Sequence, residues 1–207
     1  MATIGGNANI AKIRVAIQSG DPSDPDADFG YLYIKADGLY VELPGSDVIG
    51  PLAKASAPSA PDYICIQDQK AQNTGGGTFT SGAWRTRDLN TEVSDDGGHA
   101  SVASNQITLA AGTYICHIRC PAYIADRVQA RLWNITDSAL VLLGASVYSA
   151  TVYTQNDSII VGKFTLAAPK VLEVQHICTT TSATLGFGVA SNFGTEIYTQ
   201  VEFWKVA

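Results

Sequence analysis

Chemistry in a chain of this kind has to start from its few reactive side chains: three histidines, four cysteines and a handful of clustered carboxylates. His99 is in a Gly/Asp-rich turn, His117 on the polar side of an alternating run, and His176 two residues before Cys178. No His-x-His, His-Glu-x-x-His or Gly-x-Ser-x-Gly pattern joins any of them to a partner. Cys116 and Cys120 share one face of a strand-like run, about 13 Å apart at ~3.3 Å per residue. That separation is too long for a disulfide between them, and no Cys-x-x-Cys occurs, so Cys65, Cys116, Cys120 and Cys178 are expected as small, reduced, buried side chains. Gly75-Gly76-Gly77 lacks the Gly-Lys-Ser/Thr of a phosphate loop. Glu92 with Asp95 and Asp96 has the residue types of a glycosidase pair, but on a flexible acidic turn. Asp21, Asp24, Asp26 and Asp28 invite a calcium reading. Against an EF-hand loop, however, the glycine comes one position late, at Gly30, and Lys35 takes the place of the closing Glu. The expectation is no enzyme, no metal and no cofactor.

Positioning elements are easier to read. Gly112–Thr136 contains two runs that alternate with period two. Tyr114, Cys116, Ile118 and Cys120 oppose Thr113, His117 and Arg119; Val128, Ala130 and Leu132 oppose Arg127, Gln129 and Arg131. Such alternation marks half-buried β-strands. Similar runs recur from Pro61 to the end, at Tyr63–Gln67, Ala83–Leu89, Gln106–Leu109, Leu140–Val147, Ser158–Leu166, Val171–Cys178, Thr184–Val189 and Glu196–Val206, separated by Gly-, Asn-, Asp- and Pro-containing turns. No segment sustains a 3.6-residue period. The expectation is an all-β fold, an antiparallel jelly-roll sandwich over 62–207. Ahead of it, Tyr31–Lys35 and Leu39–Leu43 flank Asp37-Gly38, a strong hairpin signal. This hairpin belongs to a segment 1–50, joined to the sandwich by the Pro/Ala/Ser linker 51–61.

Composition narrows the partners. Hydrophobic residues make up 46% of the 207 and charged residues only 15%, which favours an oligomer that hides part of its surface. A net charge of −6 argues against a nucleic-acid backbone as partner. No apolar run reaches the roughly 20 residues of a membrane span, and the N-terminal MATIGGNANIAKIRV lacks the pattern of a signal peptide. Synthesis in a cytoplasm without processing is expected.

Two sets of strings resemble known families. Asp21-Pro22, Pro25, Gly30-Tyr31-Leu32-Tyr33-Ile34-Lys35, Asp37-Gly38-Leu39-Tyr40-Val41 and Gly50-Pro51-Leu52 are similar to a hairpin module of tailed-bacteriophage fibre proteins. Asp68-Gln69-Lys70, Gly82-Ala83-Trp84-Arg85-Thr86-Arg87-Asp88-Leu89-Asn90, Ala130-Arg131-Leu132-Trp133-Asn134, Gly186-Phe187-Gly188-Val189-Ala190 and Val201-Glu202-Phe203-Trp204-Lys205 resemble a phage-fibre jelly roll of the complement/tumour-necrosis-factor type. The resemblance implies a homotrimer with one sheet of each protomer facing a threefold axis, located in a virion. It implies a tail fibre for host attachment or, alternatively, a head fibre or capsid decoration; a secreted trimeric signalling ligand is a third reading. In the last strand, Ile197, Val201 and Phe203 are assigned to one face, and Tyr198, Gln200, Glu202 and Trp204 to the other. Trimer contacts are accordingly expected at Tyr198, Gln200 and Trp204, with Arg127 and Arg131. Receptor contacts are expected at Tyr148, Tyr153, Asn156 and Asp157 in the Ser146–Ser158 connection, and at Asn192 and Phe193. Ile10, Ile13, Val15 and Ile17 are expected to anchor the chain to other virion proteins.

Overall fold

The structure, a computed structural model, describes residues 31–35, 38–42, 48–52, 60–150 and 152–207. The expected anchor Ile10, Ile13, Val15 and Ile17, the acidic turn at Asp21–Asp28 and most of the linker lie outside the described residues. The chain divides into two compact units, Met1–Ser59 and Ala60–Ala207.

In the first unit, β1 (Tyr31–Lys35) and β2 (Gly38–Glu42) pair antiparallel with Lys35 opposite Gly38, the register of a two-residue hairpin connection. A third strand, β3 (Val48–Leu52), pairs with β2, so the module is a three-stranded sheet with Tyr40 buried. Pro51 and Leu52, expected in the linker, belong to this strand; a residue without an N–H is tolerated there because β3 is an edge strand.

The second unit is an antiparallel sandwich. Its strands are β4 (Asp62–Lys70), β5 (Arg85–Thr86), β6 (Thr91–Asp95), β7 (Ala100–Ala103), β8 (Gln106–Leu109), β9 (Gly112–Tyr123), β10 (Asp126–Asn134), β11 (Ala139–Ser149), β12 (Gln155–Leu166), β13 (Lys170–Cys178) and β14 (Glu196–Lys205). The first sheet has the order β12-β9-β14-β4-β6; the second has the order β11-β10-β13-β8-β7, with β5 on β13. From β8 onward every connection except the β10–β11 hairpin crosses from one sheet to the other, which makes the sandwich a jelly roll. The alternating residues meet between the sheets as expected. Ile64, Ile66, Cys116, Ile118, Cys120, Val201 and Phe203 face Ile107, Leu109, Ala130, Leu132, Leu172 and Val174. Tyr114, Phe164 and Phe203 form an aromatic cluster at one end, with centroids 5.6–6.1 Å apart.

Three local readings are corrected. Thr184–Val189 is a chain of turns rather than a strand. A side chain at Gly186 would meet the Phe79 Cβ at 2.6 Å, and Gly188 (φ 140°) lies flat against the Tyr198 ring. Of Ala83–Leu89 only Arg85–Thr86 is a strand, whereas Thr91–Asp95 and Ala100–Ala103 are strands that the reading passed over. In β14, Ile197 pairs with Gln69 but Gln200 with Gln67, so one extra residue bulges. The bulge turns both Tyr198 and Thr199 inward. Tyr198 is 3% exposed and its hydroxyl donates to the Thr74 carbonyl at 2.6 Å, while Ile197 points to solvent. Tyr198 therefore packs inside its own protomer and does not share a face with Trp204.

A second cluster of Phe79, Ala122, Ala125, Val128, Cys178 and Phe187 closes the end of the sandwich where β9 leaves, β10 starts and β13 leaves. Arg87 is fully buried beside it. Its Nε donates to Thr199 Oγ1 at 2.7 Å, Nη1 to the Pro121 carbonyl at 3.1 Å and Nη2 to the Phe187 carbonyl at 3.0 Å, and its guanidinium lies 4.0 Å from the Phe187 ring centre. His176 is equally buried, 4.7 Å from Phe79 centre to centre, with neither ring nitrogen hydrogen-bonded. Burial, assisted by the Arg87 charge, holds the His176 imidazole well below its ordinary pKa. The unfolded chain then binds a proton that the folded chain refuses. Stability is complete above a pH of about 6.5 and falls below it, by up to about 1.4 kcal/mol per pH unit. Chemical denaturation of the full chain at fixed concentration between pH 7 and 5 checks this. His176→Phe is expected to flatten the slope; an unchanged slope contradicts it.

Candidate functional site

The outer face of the first sheet is a grid of three cross-strand rows. Reading from β12 through β9 and β14 to β4, the rows are Ile159–Arg119–Gln200–Gln67, Val161–His117–Glu202–Cys65 and Lys163–Ile115–Trp204–Tyr63. The middle of the grid is polar and internally bonded. Tyr63 donates its hydroxyl to Glu202 Oε1 at 2.8 Å, and His117 Nδ1 meets Glu202 Oε2 at 3.1 Å. Burial, and then the hydrogen bond to Glu202, push the Tyr63 phenol far above its usual pKa, so it remains a donor. At the β12 side the grid is apolar and open: Val161 is 64% exposed, and Ile115 is exposed too. Trp204 and Tyr63 close the lower row, 5.5 Å apart. Arg119 donates from Nε to Asp157 Oδ2 at 2.6 Å, while Asp157 Oδ1 is buried without a protein partner.

The expected trimer residues are divided by this geometry. Gln200 and Trp204 belong to the grid, and Tyr198 is inside. Arg127 and Arg131 are on β10, in the second sheet, so they cannot face the same axis as Trp204. Arg131 instead lies between Trp84 and Trp133, 4.1 and 4.0 Å from their ring centres, and donates from Nε to Gln175 Oε1 at 2.9 Å. Ile115, Val161 and Tyr63 are the grid members that the sequence reading missed. Ile115 was the available signal: it is an apolar residue in the otherwise polar register of Thr113, His117 and Arg119.

Loops gather at the two ends. Ala60–Asp62, where the chain enters the sandwich, is at the same end as the last strand's Lys205. At the opposite end the connections 123–126, 149–155, 178–196 and 70–85 come together, joined by hydrogen bonds from Val189 N to Gln155 Oε1 and from Gln72 Nε2 to the Asn192 carbonyl. Tyr153 (89% exposed) and Phe193 (96%) are presented there. Glu196 accepts the N–H groups of Asn73, Ser191 and Asn192 and the Ser191 hydroxyl, and these bonds, Ser191's first, hold its carboxyl below the usual range. That clamp and the left-handed Asn192 (φ 65°) set the turn that carries Phe193. The other loop candidates are relocated. The connection is 150–154, not Ser146–Ser158: Tyr148 is on β11, Asn156 and Asp157 are on β12, and Asp157 is engaged with Arg119.

The reactive side chains do not converge. His99 meets Asp62, His117 meets Glu202, and His176 is walled in. All four cysteines are buried and unpaired. Burial pushes the thiols of Cys116 and Cys178 up to about 11 and that of Cys120 up to about 12, so they stay protonated.

No protein-family model matches the chain, and none of the curated proteins does. Among solved structures, it is similar to murine APRIL at pH 5.0 (10% identity, 70% of this chain and 98% of that one, TM-score 0.47). It is similar also to the globular domain of zebrafish complement 1qA (10%, 71% and 98%, TM-score 0.44). A third is PRD1 vertex protein P5 (13%, 72% and 99%, TM-score 0.44).

Because Tyr153 and Phe193 touch so little of their own protomer, their loss should not be felt in folding. Tyr153→Ser and Phe193→Ser are expected to change the unfolding free energy by less than about 0.5 kcal/mol. A larger loss by denaturant titration would show that these rings support the fold rather than face outward.

Proposed function

We propose that the chain is a structural protein of a phage particle: a short homotrimeric fibre, held to the virion by its N-terminal segment and displaying the jelly roll for contact with the host surface, as a tail fibre does. The observation that carries the reading is the grid on the first sheet. Exposed valine and isoleucine beside a tryptophan, around a polar centre already bonded within itself, suit a surface meant to meet its own copies about an axis. Burying each of these side chains is worth about 1.5–3 kcal/mol, and the threefold arrangement multiplies it. Self-contained hydrogen bonds at Tyr63, His117 and Glu202 lower the cost of taking the polar centre out of water. Direction supports the display role: the sandwich is entered at one end, and the bare rings Tyr153 and Phe193 are at the other. The fibre assignment itself rests on the resemblance of the Gly30–Val41 and Gly82–Asn90 strings.

Val161→Glu would place three like charges together near the axis. In the full chain it is expected to lower the thermal midpoint and abolish the rise of that midpoint with protein concentration. A concentration-independent midpoint in the unaltered chain would overturn the trimer. On particles, removal of residues 1–59 is expected to leave the trimer intact while preventing incorporation; normal incorporation refutes the anchoring role.

A further inference from the structure

We propose that the outer face of the second sheet carries a binding groove for a sugar residue bearing a carboxylate. This inference rests on the display reading, since it supplies the chemistry by which the outward surface would engage a host glycan. The groove has a volume of about 610 Å³ and runs over β10, β11 and β13 close to the loop end, within the range of small-ligand sites.

Beside it the ladder is broken. Gln129 pairs with Ser146 but Arg131 with Leu143, so Gly144 and Ala145 bulge out of β11. The bulge is satisfied from both sides. Inside, Ala130 N donates to Ser158 Oγ at 2.9 Å, and that hydroxyl donates to the Ala145 carbonyl at 2.7 Å. Outside, Gln129 Nε2 donates to the Gly144 carbonyl at 2.9 Å. The distorted ladder is therefore stable without any ligand.

The lining is of two kinds. Tyr148, 59% exposed, stands directly across the strand pair from Arg127, with Ile177 on the next strand. This gives an aromatic face and an apolar floor suited to the C–H side of a pyranose ring. Arg127 supplies the charge. Its side chain is 78% exposed, and its nearest carboxylate, Asp126, is 3.9 Å away. That pair is too long for a hydrogen bond, and Asp126 Oδ2 accepts from the Thr179 hydroxyl at 2.7 Å. The guanidinium fork makes no hydrogen bond among the described residues and can still hold a bidentate carboxylate, in a molecule whose net charge of −6 otherwise repels anions. A neutral sugar would leave the fork unused.

The test is titration of the full-length chain, followed by NMR saturation transfer, with methyl glucuronide, the α-methyl glycoside of N-acetylneuraminic acid, methyl glucoside and an Asp-rich hexapeptide. At least one acidic sugar is expected to bind about tenfold or more tightly than methyl glucoside, and Arg127→Gln to remove that margin. Tyr148→Ala is expected to weaken acidic and neutral sugars alike. Equal binding of acidic and neutral sugars, failure of every sugar to bind, preference for the hexapeptide, or an Arg127→Gln chain that binds as before each overturns the groove. Arg127 and Tyr148 are exposed, so both variants are expected to fold, which the unfolding midpoint verifies. A chain that forms trimers yet ignores the sugars loses the groove alone. A chain that binds them as a single copy loses the trimer alone.

Discussion

A guanidinium enclosed in protein with no ion-pair partner among the described residues is the constraint on which the display end depends. Desolvation pulls the Arg87 pKa downward, yet the group remains a cation. It is tolerable only because each of its three nitrogens has an oxygen to meet and one ring face lies over it. Those oxygens belong to the end of β9, the bulge of β14 and the turn at Phe187, three segments far apart in the chain. Losing any one of them leaves part of a buried charge unmet, which costs about 1.5–3 kcal/mol. The network therefore holds the 186–194 loop in one place, and through it the turn presenting Phe193. A lysine, with a compact ammonium in place of the fork, could not span the three acceptors.

The two outer faces of the sandwich solve different problems. On the first sheet, polar groups are bonded to each other and apolar ones are left to water, the pattern of a surface awaiting a partner. On the second, Arg131 is fixed between two tryptophans, and the Gln175–Glu173 pair continues the polar network to Thr86 and Gln106. The β11 side of that face is open, with Leu140, Leu143 and Tyr148 about half-exposed and Tyr148 across the strand pair from Arg127.

Much of this was legible because period two is hard to disguise. The runs in β9 and β10 named their inward residues correctly, and the jelly roll followed from the number and spacing of strands. Three things were not legible. The bulge at Tyr198–Thr199 breaks the alternation at one residue, and its cause, the reach of Arg87 and of the Thr74 carbonyl, is far away in sequence. Arg87 itself reads as a surface residue in Thr86-Arg87-Asp88, since burial of a lone cation depends on acceptors that only the fold assembles. Thr184–Val189 passes for a strand because its apolar residues alternate with glycines. Those glycines are there for close approach to Phe79 and Tyr198. That Arg127 and Arg131 lie on the other sheet from Trp204 was hidden for a related reason: alternation tells which residues share a face within a strand, not which of two sheets the strand joins.

The central claim is that the Val161–His117–Glu202 face is covered by identical copies. Light scattering on the full-length chain at micromolar concentration tests it most directly. A mass three times 21.8 kDa is expected. A mass of 21.8 kDa at that concentration would mean that the exposed rows of the first sheet stay in water, contradicting the account.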